Sequence, residues 1–401
     1  MKQQGAKGWL LHDVKNRGVT AYIIAALLFA FYFALYVGQY HENPSGPYEH
    51  FQAFLYPATA WLDGLGATIF SPLGPDQWGK PFGSRWHVYG LLYTVAILGG
   101  GAYMIAKYKH NKYLIVRTSV VMFVQISFAF SIPILLKFFH QPEYYFSYLW
   151  PLKIDYLDPR NFAYYGPVYV LYGFFASIVL VPVMTIFFGK RWYCSWVCGC
   201  GGLANTFGEP WRHLSDKSNL SWQIEKVTIH TVLIVAFVST ALWFASATMP
   251  DNAALSETAG TFREYYGIIV VAMLSGVFGV GLYPIAGTRF WCRFACPMAA
   301  LLGLIQKFGR YRIKVKRDMC ISCGMCSKYC EMGIDVRSYA QSNVSFTRAS
   351  CVGCGLCAEV CPRGVLRLEN VWRKDPQEML TMESLISESW KGENTTIGAR
   401  R

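Results

Sequence analysis

Two runs of cysteines near the end of the sequence decide the fold of that part of the chain. The first reads Cys320-x2-Cys323-x2-Cys326-x3-Cys330, and the second reads Cys351-x2-Cys354-x2-Cys357-x3-Cys361-Pro362. Three closely spaced cysteines on a tight loop reach three irons of one cube, and the fourth cysteine of such a run ligates the other cluster. The spacing therefore predicts a small α+β ferredoxin domain of the bacterial type, over residues 310–372, with two [4Fe–4S] clusters.

The same rule divides the eight cysteines into two sets of ligands. One cluster takes Cys320, Cys323, Cys326 and Cys361, and the other takes Cys351, Cys354, Cys357 and Cys330. Gly324, Gly353 and Gly355 lie inside the loops, where backbone N–H groups can approach the cluster sulfurs. Zinc is the alternative metal, but zinc sites use C-x2-C pairs with four ligands for each ion. Two complete runs favour iron–sulfur clusters.

The remainder of the chain has the composition of a membrane protein. The sequence has 401 residues, of which 53% are hydrophobic and 15% charged, whereas about 25% are charged in an ordinary soluble chain. A membrane helix needs about 20 apolar residues. Six stretches meet this length, and they predict a mainly α fold, a six-helix transmembrane bundle within residues 19–288, with spans at about 19–38, 86–106, 114–138, 167–188, 228–248 and 267–287.

A seventh apolar stretch, 51–73, is interrupted by Pro57, Asp63 and Pro72, and we interpret it as a re-entrant or interfacial segment. The segment 144–165 is rich in Tyr, Phe and Trp, which is typical of an aromatic belt at a bilayer surface. Residues 1–18 form a terminal segment, and residues 373–401 form a tail. No nucleic-acid partner is expected, because the net charge of +13 comes from basic residues that flank the apolar spans.

The basic residues also predict the orientation of the chain. Lys and Arg are concentrated before the first span and in the loops after the second and fourth spans. The positive-inside rule then places both termini and the ferredoxin domain in the cytoplasm of a bacterial inner membrane. All thirteen cysteines fall on this side, in agreement with the reducing compartment that thiolate clusters need. The basic stretch 310–317 is predicted to be a juxtamembrane anchor to lipid headgroups or a docking face for an acidic electron carrier.

A short motif is repeated where the fourth and sixth spans end. The copies read Lys190-Arg191-Trp192-Tyr193-Cys194-x3-Cys198 and Thr288-Arg289-Phe290-Trp291-Cys292-x3-Cys296-Pro297, and Cys200 follows the first. Thiols at i and i+4 share one face of a helix. We therefore expect the membrane-edge segments, the second over residues 289–309, to bind a third cluster or copper(I), or to work as redox thiols. Inert burial is the alternative, because free cysteine behaves as a small hydrophobe.

A few polar residues near the spans are further candidates. His87, His140 and His230 lie near span ends, and an interfacial histidine of this kind is usually a polar anchor rather than a haem ligand. Arg117 and Gln125 in the third span are costly in lipid and should face the protein interior, where helix–helix packing is the commonest explanation and a quinol site is the second.

Taken together, these motifs resemble those of the membrane-bound polyferredoxins of the NosR, NapH, CcoG and YccM type. The resemblance covers residues 85–370, including both membrane-edge motifs and the double ferredoxin run. The second motif matches the C-x3-C-P pattern of that family, whereas Gly199 replaces the proline in the first. The loops are too short for the flavin domain of the NosR type, so flavin is not expected.

The resemblance implies an electron-transfer component rather than a stand-alone enzyme. Electrons would pass between quinol or a cytoplasmic donor and a partner oxidoreductase. Two alternatives stay open at this point. The membrane-edge cysteines would serve a copper reductase or metal-handling assembly factor in the first, and a redox-sensing regulatory scaffold in the second.

Overall fold

The computed structural model describes residues 18–38, 47–74, 82–157, 165–249 and 251–372. The predicted terminal segment up to residue 17 and the tail 373–401 lie outside these ranges. So do the basic residues Lys2, Lys7, Lys15, Arg17, Lys80 and Arg160.

Six long apolar helices form the membrane part, and this confirms the predicted number of spans. They are α1 (Val19–Val37), α4 (Arg85–Lys107), α5 (Lys112–Phe138), α6 (Pro167–Phe188), α9 (Asn219–Thr248) and α10 (Ala253–Gly281). Between α1 and α4 lie two shorter helices, α2 (Pro47–Thr59) and α3 (Trp61–Phe70). These two helices occupy the interrupted stretch 51–73. An ion pair of 2.6 Å between Arg85 Nη2 and Asp63 Oδ2 fastens α3 to the start of α4.

The outward surface of the bundle is apolar in the way that lipid contact requires. On α6, Val168, Leu171, Phe175 and Ile178 are spaced by three or four residues and are all exposed. This spacing places them on one face of the helix. Arg117 and Gln125, by contrast, are buried inside the bundle, as expected for polar groups in spans. The predicted aromatic belt is only partly at the surface, because Tyr144 and Tyr156 stack on each other in the interior with their ring centroids 4.2 Å apart.

The fifth and sixth spans begin earlier than the hydropathy pattern predicts. Helix α9 begins at Asn219 rather than near 228, and α10 begins at Ala253 rather than near 267. The extra turns of α9 are held by the Ser218 hydroxyl, which accepts a hydrogen bond from the Ser221 N–H. They also carry Glu225, which is buried and pairs with Arg293 at 2.7 Å. A polar helix extension that is fixed by such contacts is invisible to a search for apolar residues.

Short helices and a two-stranded sheet build the end of the molecule that carries the cysteines. The short helices are α7 (Arg191–Cys194), α8 (Gly199–Asn205), α11 (Tyr283–Ala286), α12 (Phe290–Phe294) and α13 (Pro297–Phe308). The ferredoxin domain contains β1 (Tyr311–Val315), α14 (Met325–Lys328), α15 (Val336–Gln341), α16 (Leu356–Glu359) and β2 (Leu366–Asn370).

Strands β1 and β2 pair antiparallel, with Tyr311 opposite Asn370 and Val315 opposite Leu366. The basic stretch 310–317 is therefore largely a strand of this hairpin rather than a free linker. Arg312 and Lys314 both pair with Glu369 of the opposite strand, which leaves less charge for a lipid anchor than the sequence alone indicates.

Candidate iron–sulfur centres and membrane-edge cysteines

The two runs of cysteines surround two separate cavities in the ferredoxin domain. Each cavity is lined by the four cysteines that the spacing rule groups together. The first holds Cys320, Cys323, Cys326 and Cys361. The second holds Cys330, Cys351, Cys354 and Cys357. The crossed sharing of the fourth cysteine thus appears in the geometry, because Cys361 and Cys330 each close the cavity of the other run.

Backbone shape within the two loops is repeated as well. Gly324 and Gly355 begin the short helices α14 and α16 in the left-handed conformation, with φ of 73° and 83°. A Cβ at Gly355 would lie 2.7 Å from the Tyr113 ring. Ser322 and Gly353 are also left-handed, with φ of 57° and 60°. Since a side chain is strained in this region, the glycines permit the tight turns that direct each run of cysteines inward.

Burial makes these thiols poor acids unless a metal takes the place of the proton. It raises the pKa of Cys326 and of Cys330 to about 11, and the pKa of Cys354 to about 12. The metal ligand is the thiolate, not the thiol. These cysteines are therefore expected to ionise on metal binding rather than by themselves.

The membrane-edge motifs fold differently from the single helical face that we predicted. Cys194 is the last residue of α7, and Cys198 precedes α8; Cys292 lies in α12, and Cys296 precedes α13. Each C-x3-C pair therefore flanks a turn between two short helices. In the second copy the reason is Pro297, because the residue before a proline is pushed out of the helical region. Cys296 accordingly has extended backbone, with ψ of 112°.

The two copies nevertheless form equivalent backbone hydrogen bonds. The Cys198 N–H donates to the Tyr193 carbonyl at 2.8 Å, and the Cys296 N–H donates to the Trp291 carbonyl at 3.0 Å. Each copy is also preceded by a left-handed glycine. A Cβ at Gly189 would lie 2.5 Å from Tyr311 Cβ, and one at Gly287 would lie 2.5 Å from Ser215 Oγ. Cys198 therefore occupies the place of Cys296, and Cys200 is the additional thiol.

The two copies bring four thiols into one buried core. Cys194, Cys198, Cys292 and Cys296 belong to the same cluster of buried side chains, which also includes residues of the ferredoxin domain. Burial, together with the neighbouring thiols of Cys292, Cys194 and Cys198, raises the pKa of Cys296. The hydrogen bond from Cys200 and the nearby charge of Arg289 instead lower the pKa of Cys198 to about 7.

A buried network of charges joins this core to the second cavity of the ferredoxin domain. Arg289 Nη2 lies 3.1 Å from Glu331 Oε1, and Arg289 Nη1 lies 3.6 Å from Cys292 Sγ. Arg212 contacts Glu331 at 3.3 Å and also pairs with Glu209. Although burial opposes ionisation of Glu331, Arg289 and Arg212 outweigh it and lower the pKa of this carboxyl. Glu331 directly follows Cys330, so the network touches both sites.

The same network contains more positive charge than negative charge. Four cations, Lys107, Arg117, Arg212 and Arg289, accompany two carboxylates, Glu209 and Glu331. Within the described residues, seven guanidinium nitrogens of the three arginines are buried without an aligned hydrogen-bond acceptor, and three of these seven form the ion pairs with Glu209 and Glu331. An uncompensated buried charge is strongly destabilising. Cysteine-bound iron–sulfur centres carry net negative charge, so these residues fit such centres on either side of the network.

Direct contacts also connect the two sites. The Ser195 hydroxyl, beside Cys194, donates to the carbonyl of Val352 at 2.7 Å, beside Cys351. Arg117 of α5 donates to the Cys354 carbonyl at 2.6 Å. The second cavity is therefore sealed against the membrane helices, while Cys323 of the first cavity is exposed.

A third cavity, of about 420 Å³, lies among α1, α4, α5 and α10 and reaches the membrane-edge core at Cys200. It is lined by Cys200, by Gln125 and by aromatic side chains, among them Tyr36, Trp86, Tyr89, Tyr93, Tyr145 and Tyr148. His87 also lines it, with its Nδ1 2.9 Å from the Ser84 hydroxyl at the start of α4. His230 is on α9 instead, where its Nδ1 lies 2.6 Å from the Lys226 carbonyl. His140 lies two residues after the end of α5 and has a left-handed backbone, with φ of 58°.

Sequence reasoning missed most of the residues that surround these cysteines. Glu209 and Arg212 stand in a loop with no motif, and the tyrosines of the cavity look like ordinary membrane residues. Two residues did carry a signal: Arg289, which belongs to the second membrane-edge motif, and Arg117, because a charge inside a span marks a functional region.

Comparison with known families and proteins agrees with these observations. A family model described as a 4Fe-4S dicluster domain matches residues 313–368. Another, described as a 4Fe-4S binding domain, matches twice, at residues 170–217 and 268–316. Each of the two matches contains one membrane-edge motif. The chain is a membrane polyferredoxin-like 4Fe–4S protein. It binds iron–sulfur clusters.

The chain is also similar to several individual proteins. It is 25% identical to the putative electron transport protein YccM of Escherichia coli over 41% of this chain and 48% of the relative. It is 26% identical to the methylamine utilization ferredoxin-type protein MauN of Paracoccus denitrificans, over 38% and 52%. An uncharacterised protein of Methanocaldococcus jannaschii is 25% identical over 39% and 58%. The chain thus spans about half the length of these relatives. No solved structure matches significantly.

Proposed function

We propose that this protein transfers single electrons between a quinol in the membrane and a redox partner that docks at the ferredoxin domain. The proposal rests on the order in which the cavities and the cysteines follow one another in the structure. The tyrosine-lined cavity reaches Cys200, the four membrane-edge thiols follow, and the two ferredoxin cavities lead from there to the exposed Cys323. The putative electron transport protein among its relatives supports the same role.

In this proposal the two sets of ferredoxin cysteines are the ligands of two [4Fe–4S] clusters. Bound clusters would supply one-electron chemistry over a wide range of potentials. The chain's own residues control the surroundings: Arg117, Arg212 and Arg289 provide positive charge, and the loop after Cys351 is covered by Ser195. Outer-shell groups of this kind tune the potential of a metal centre.

A third iron–sulfur centre at Cys194, Cys198, Cys292 and Cys296 completes the proposal. The double match of a 4Fe-4S binding family to the two motifs supports it. Iron quantitation on the full chain tests it, since three [4Fe–4S] clusters hold about twelve irons and two hold about eight. A content of about eight irons, unchanged by Cys292→Ser, would contradict a third centre.

The quinol part of the proposal rests on the chemistry of the tyrosine-lined cavity. A quinone head has two oxygens that accept hydrogen bonds and a flat ring that packs on aromatic faces. The cavity offers the Tyr148 hydroxyl and the Gln125 amide next to Cys200, within an aromatic wall. Both polar groups lie beside Gly199, whose Cβ would be 3.1 Å from the Tyr148 oxygen and 3.5 Å from Gln125 Oε1.

A reoxidation assay in nanodiscs tests this step. The protein is reduced with dithionite, the excess is removed, and the recovery of visible absorption is followed after a short-chain quinone is added. We expect Tyr148→Phe and Gln125→Leu to slow reoxidation by quinone but not by ferricyanide, which can react at the exposed ferredoxin face. Tyr22→Phe is the matched control, because Tyr22 is exposed on α1. Recovery with ferricyanide but not with quinone in the unmodified protein would refute a quinol site.

Copper handling is the second candidate function, and the softness of four buried thiols favours it. A single copper ion needs ligands that converge on one point. An iron–sulfur cluster instead binds each thiolate to a separate iron. Metal analysis after copper(I) loading distinguishes the two: stoichiometric copper that Cys292→Ser and Cys296→Ser abolish would favour copper.

We also propose that the ferredoxin domain faces the cytoplasm of a bacterial inner membrane. The basic turn between α4 and α5, with Lys107, Lys109 and Lys112, lies on the same side as this domain, since Asn111 of the turn contacts Glu359. A cysteine placed at exposed Lys109 should react with a membrane-impermeant maleimide in inverted vesicles and not in intact cells. The reverse pattern would overturn the orientation.

A further inference from the structure

A further cavity, of about 690 Å³, borders the membrane-edge core at Cys292, whereas the tyrosine-lined cavity borders it at Cys200. The first turns of α9, the helix α13 and the ferredoxin loop 344–350 form its walls. It reaches inward as far as Cys292. The assigned functions do not use it.

The wall of this cavity is strongly basic. Five cationic side chains line it, Lys190, Lys226, Arg293, Lys307 and Arg348, and Glu225 is the single carboxylate among the described lining residues. Both oxygens of Glu225 are already engaged, one by Arg293 Nε at 2.7 Å and the other by the Ser350 hydroxyl. Lys226 and Arg348 both lie over the ring of Trp222, at 3.5 and 5.0 Å from its centroid. The cavity therefore has an excess of positive charge that an anion would balance.

Most of the remaining lining is apolar. Ile229, Leu304 and Phe346 belong to the wall. Phe308 follows Leu304 by four residues on the same face of α13 and is 80% exposed. A soluble phosphate compound would leave this apolar surface in water, whereas the acyl chains of a lipid would cover it.

We propose that this cavity is a binding site for the phosphodiester headgroup of an anionic phospholipid. Its acyl chains lie against Ile229, Leu304 and Phe308, and its headgroup lies between Lys226, Lys307 and Arg348. Basic pockets at the ends of membrane helices bind anionic lipid in this way. Because α9, α13 and the ferredoxin loop all contribute to the cavity, the bound lipid also holds the ferredoxin domain against the membrane helices.

Quenching of tryptophan fluorescence by brominated lipid tests the site in the full, iron-loaded chain. We expect brominated phosphatidylglycerol to quench more than brominated phosphatidylcholine, and the difference to disappear in Trp222→Phe. Replacing Lys226, Lys307 and Arg348 together by Gln should weaken the phosphatidylglycerol effect by on the order of 10- to 100-fold, because each basic residue near an anionic surface contributes. Arg312→Gln with Lys314→Gln is the control, since both residues belong to strand β1.

Each outcome decides the proposal. Iron content is measured for every variant, and quenching is compared only among chains with the full iron content. If the triple Gln variant binds less iron, the single variant Lys226→Gln takes its place, because Lys226 is exposed on α9. Equal quenching by the two lipids overturns the proposal. So does a loss of the preference for phosphatidylglycerol in the β1 control that equals the loss in the triple variant. Displacement of brominated phosphatidylglycerol by millimolar inorganic phosphate shows that free phosphate is the occupant, and this overturns the assignment to lipid.

Discussion

Arg289 offers the sharpest test of how the buried network acts on the membrane-edge cysteines. Its Nη1 lies 3.6 Å from Cys292 Sγ, in the interior of the protein. A positive charge so close would stabilise the reduced, more negative form of the proposed centre at Cys292. We therefore expect Arg289→Gln to lower the reduction potential of that centre.

The magnitude follows from Coulomb's law. With an effective dielectric constant of about 20, a unit charge contributes roughly 4.6 kcal/mol at the sulfur distance of 3.6 Å and roughly half of that at twice the distance. For one electron these energies correspond to about 200 mV and about 100 mV. The expected decrease therefore lies between these two values.

The assay is a redox titration followed by EPR, with iron quantitation on the same samples. Arg289→Lys keeps the charge and should shift the potential much less than Arg289→Gln. Arg312→Gln removes an equal charge from the ferredoxin hairpin, where Arg312 pairs with Glu369, and should leave the membrane-edge centre unchanged. A shift below about 20 mV in Arg289→Gln at full iron content, far under the Coulomb value, would refute the electrostatic role.

Three further predictions follow from single side chains. Cys198→Ser should remove about four irons from the chain, whereas Cys200→Ser should leave the iron content unchanged; equal loss in both would show that the repeat has been aligned incorrectly. Glu331→Gln breaks two buried ion pairs and should destabilise the fold by about 3–5 kcal/mol, measured as a lower denaturant midpoint, and a change below about 1 kcal/mol would mean that the network is not stabilising. Ser322→Gly relieves a left-handed serine and should slow iron release in urea, because the strain is about 1–2 kcal/mol; faster release would contradict this.

Prediction from the sequence was most accurate where the chemistry of a site fixes the spacing of its residues along the chain. Cys320 and Cys361 are far apart along the chain, yet the ferredoxin rule paired them, and they line one cavity. The number of spans followed from apolar length in the same way. The membrane-edge pairs were placed on one helical face wrongly, because a proline after Cys296 ends the continuity that the i, i+4 rule assumes.

Contacts between distant segments were beyond sequence reasoning. Arg212 and Glu331 are more than a hundred residues apart, and neither stands in a pattern that predicts a partner. The extension of α9 was not predicted for a related reason. Hydropathy identifies only the apolar part of a helix, whereas the polar first turns are held by the ion pair between Glu225 and Arg293. Such pairs are set by how the whole chain packs, which one sequence does not display.

The seal between Arg117 and the loop at Cys354 has a consequence for the kinetics of this protein. A carrier on a flexible tether moves between donor and acceptor, and the rate of its swing limits the flow of electrons. Here the ferredoxin domain is fixed to the helices by Arg117, Ser195 and the charges around Glu331. Under the proposed function the domain does not swing, and we therefore expect the arrival and departure of the partner to limit the turnover.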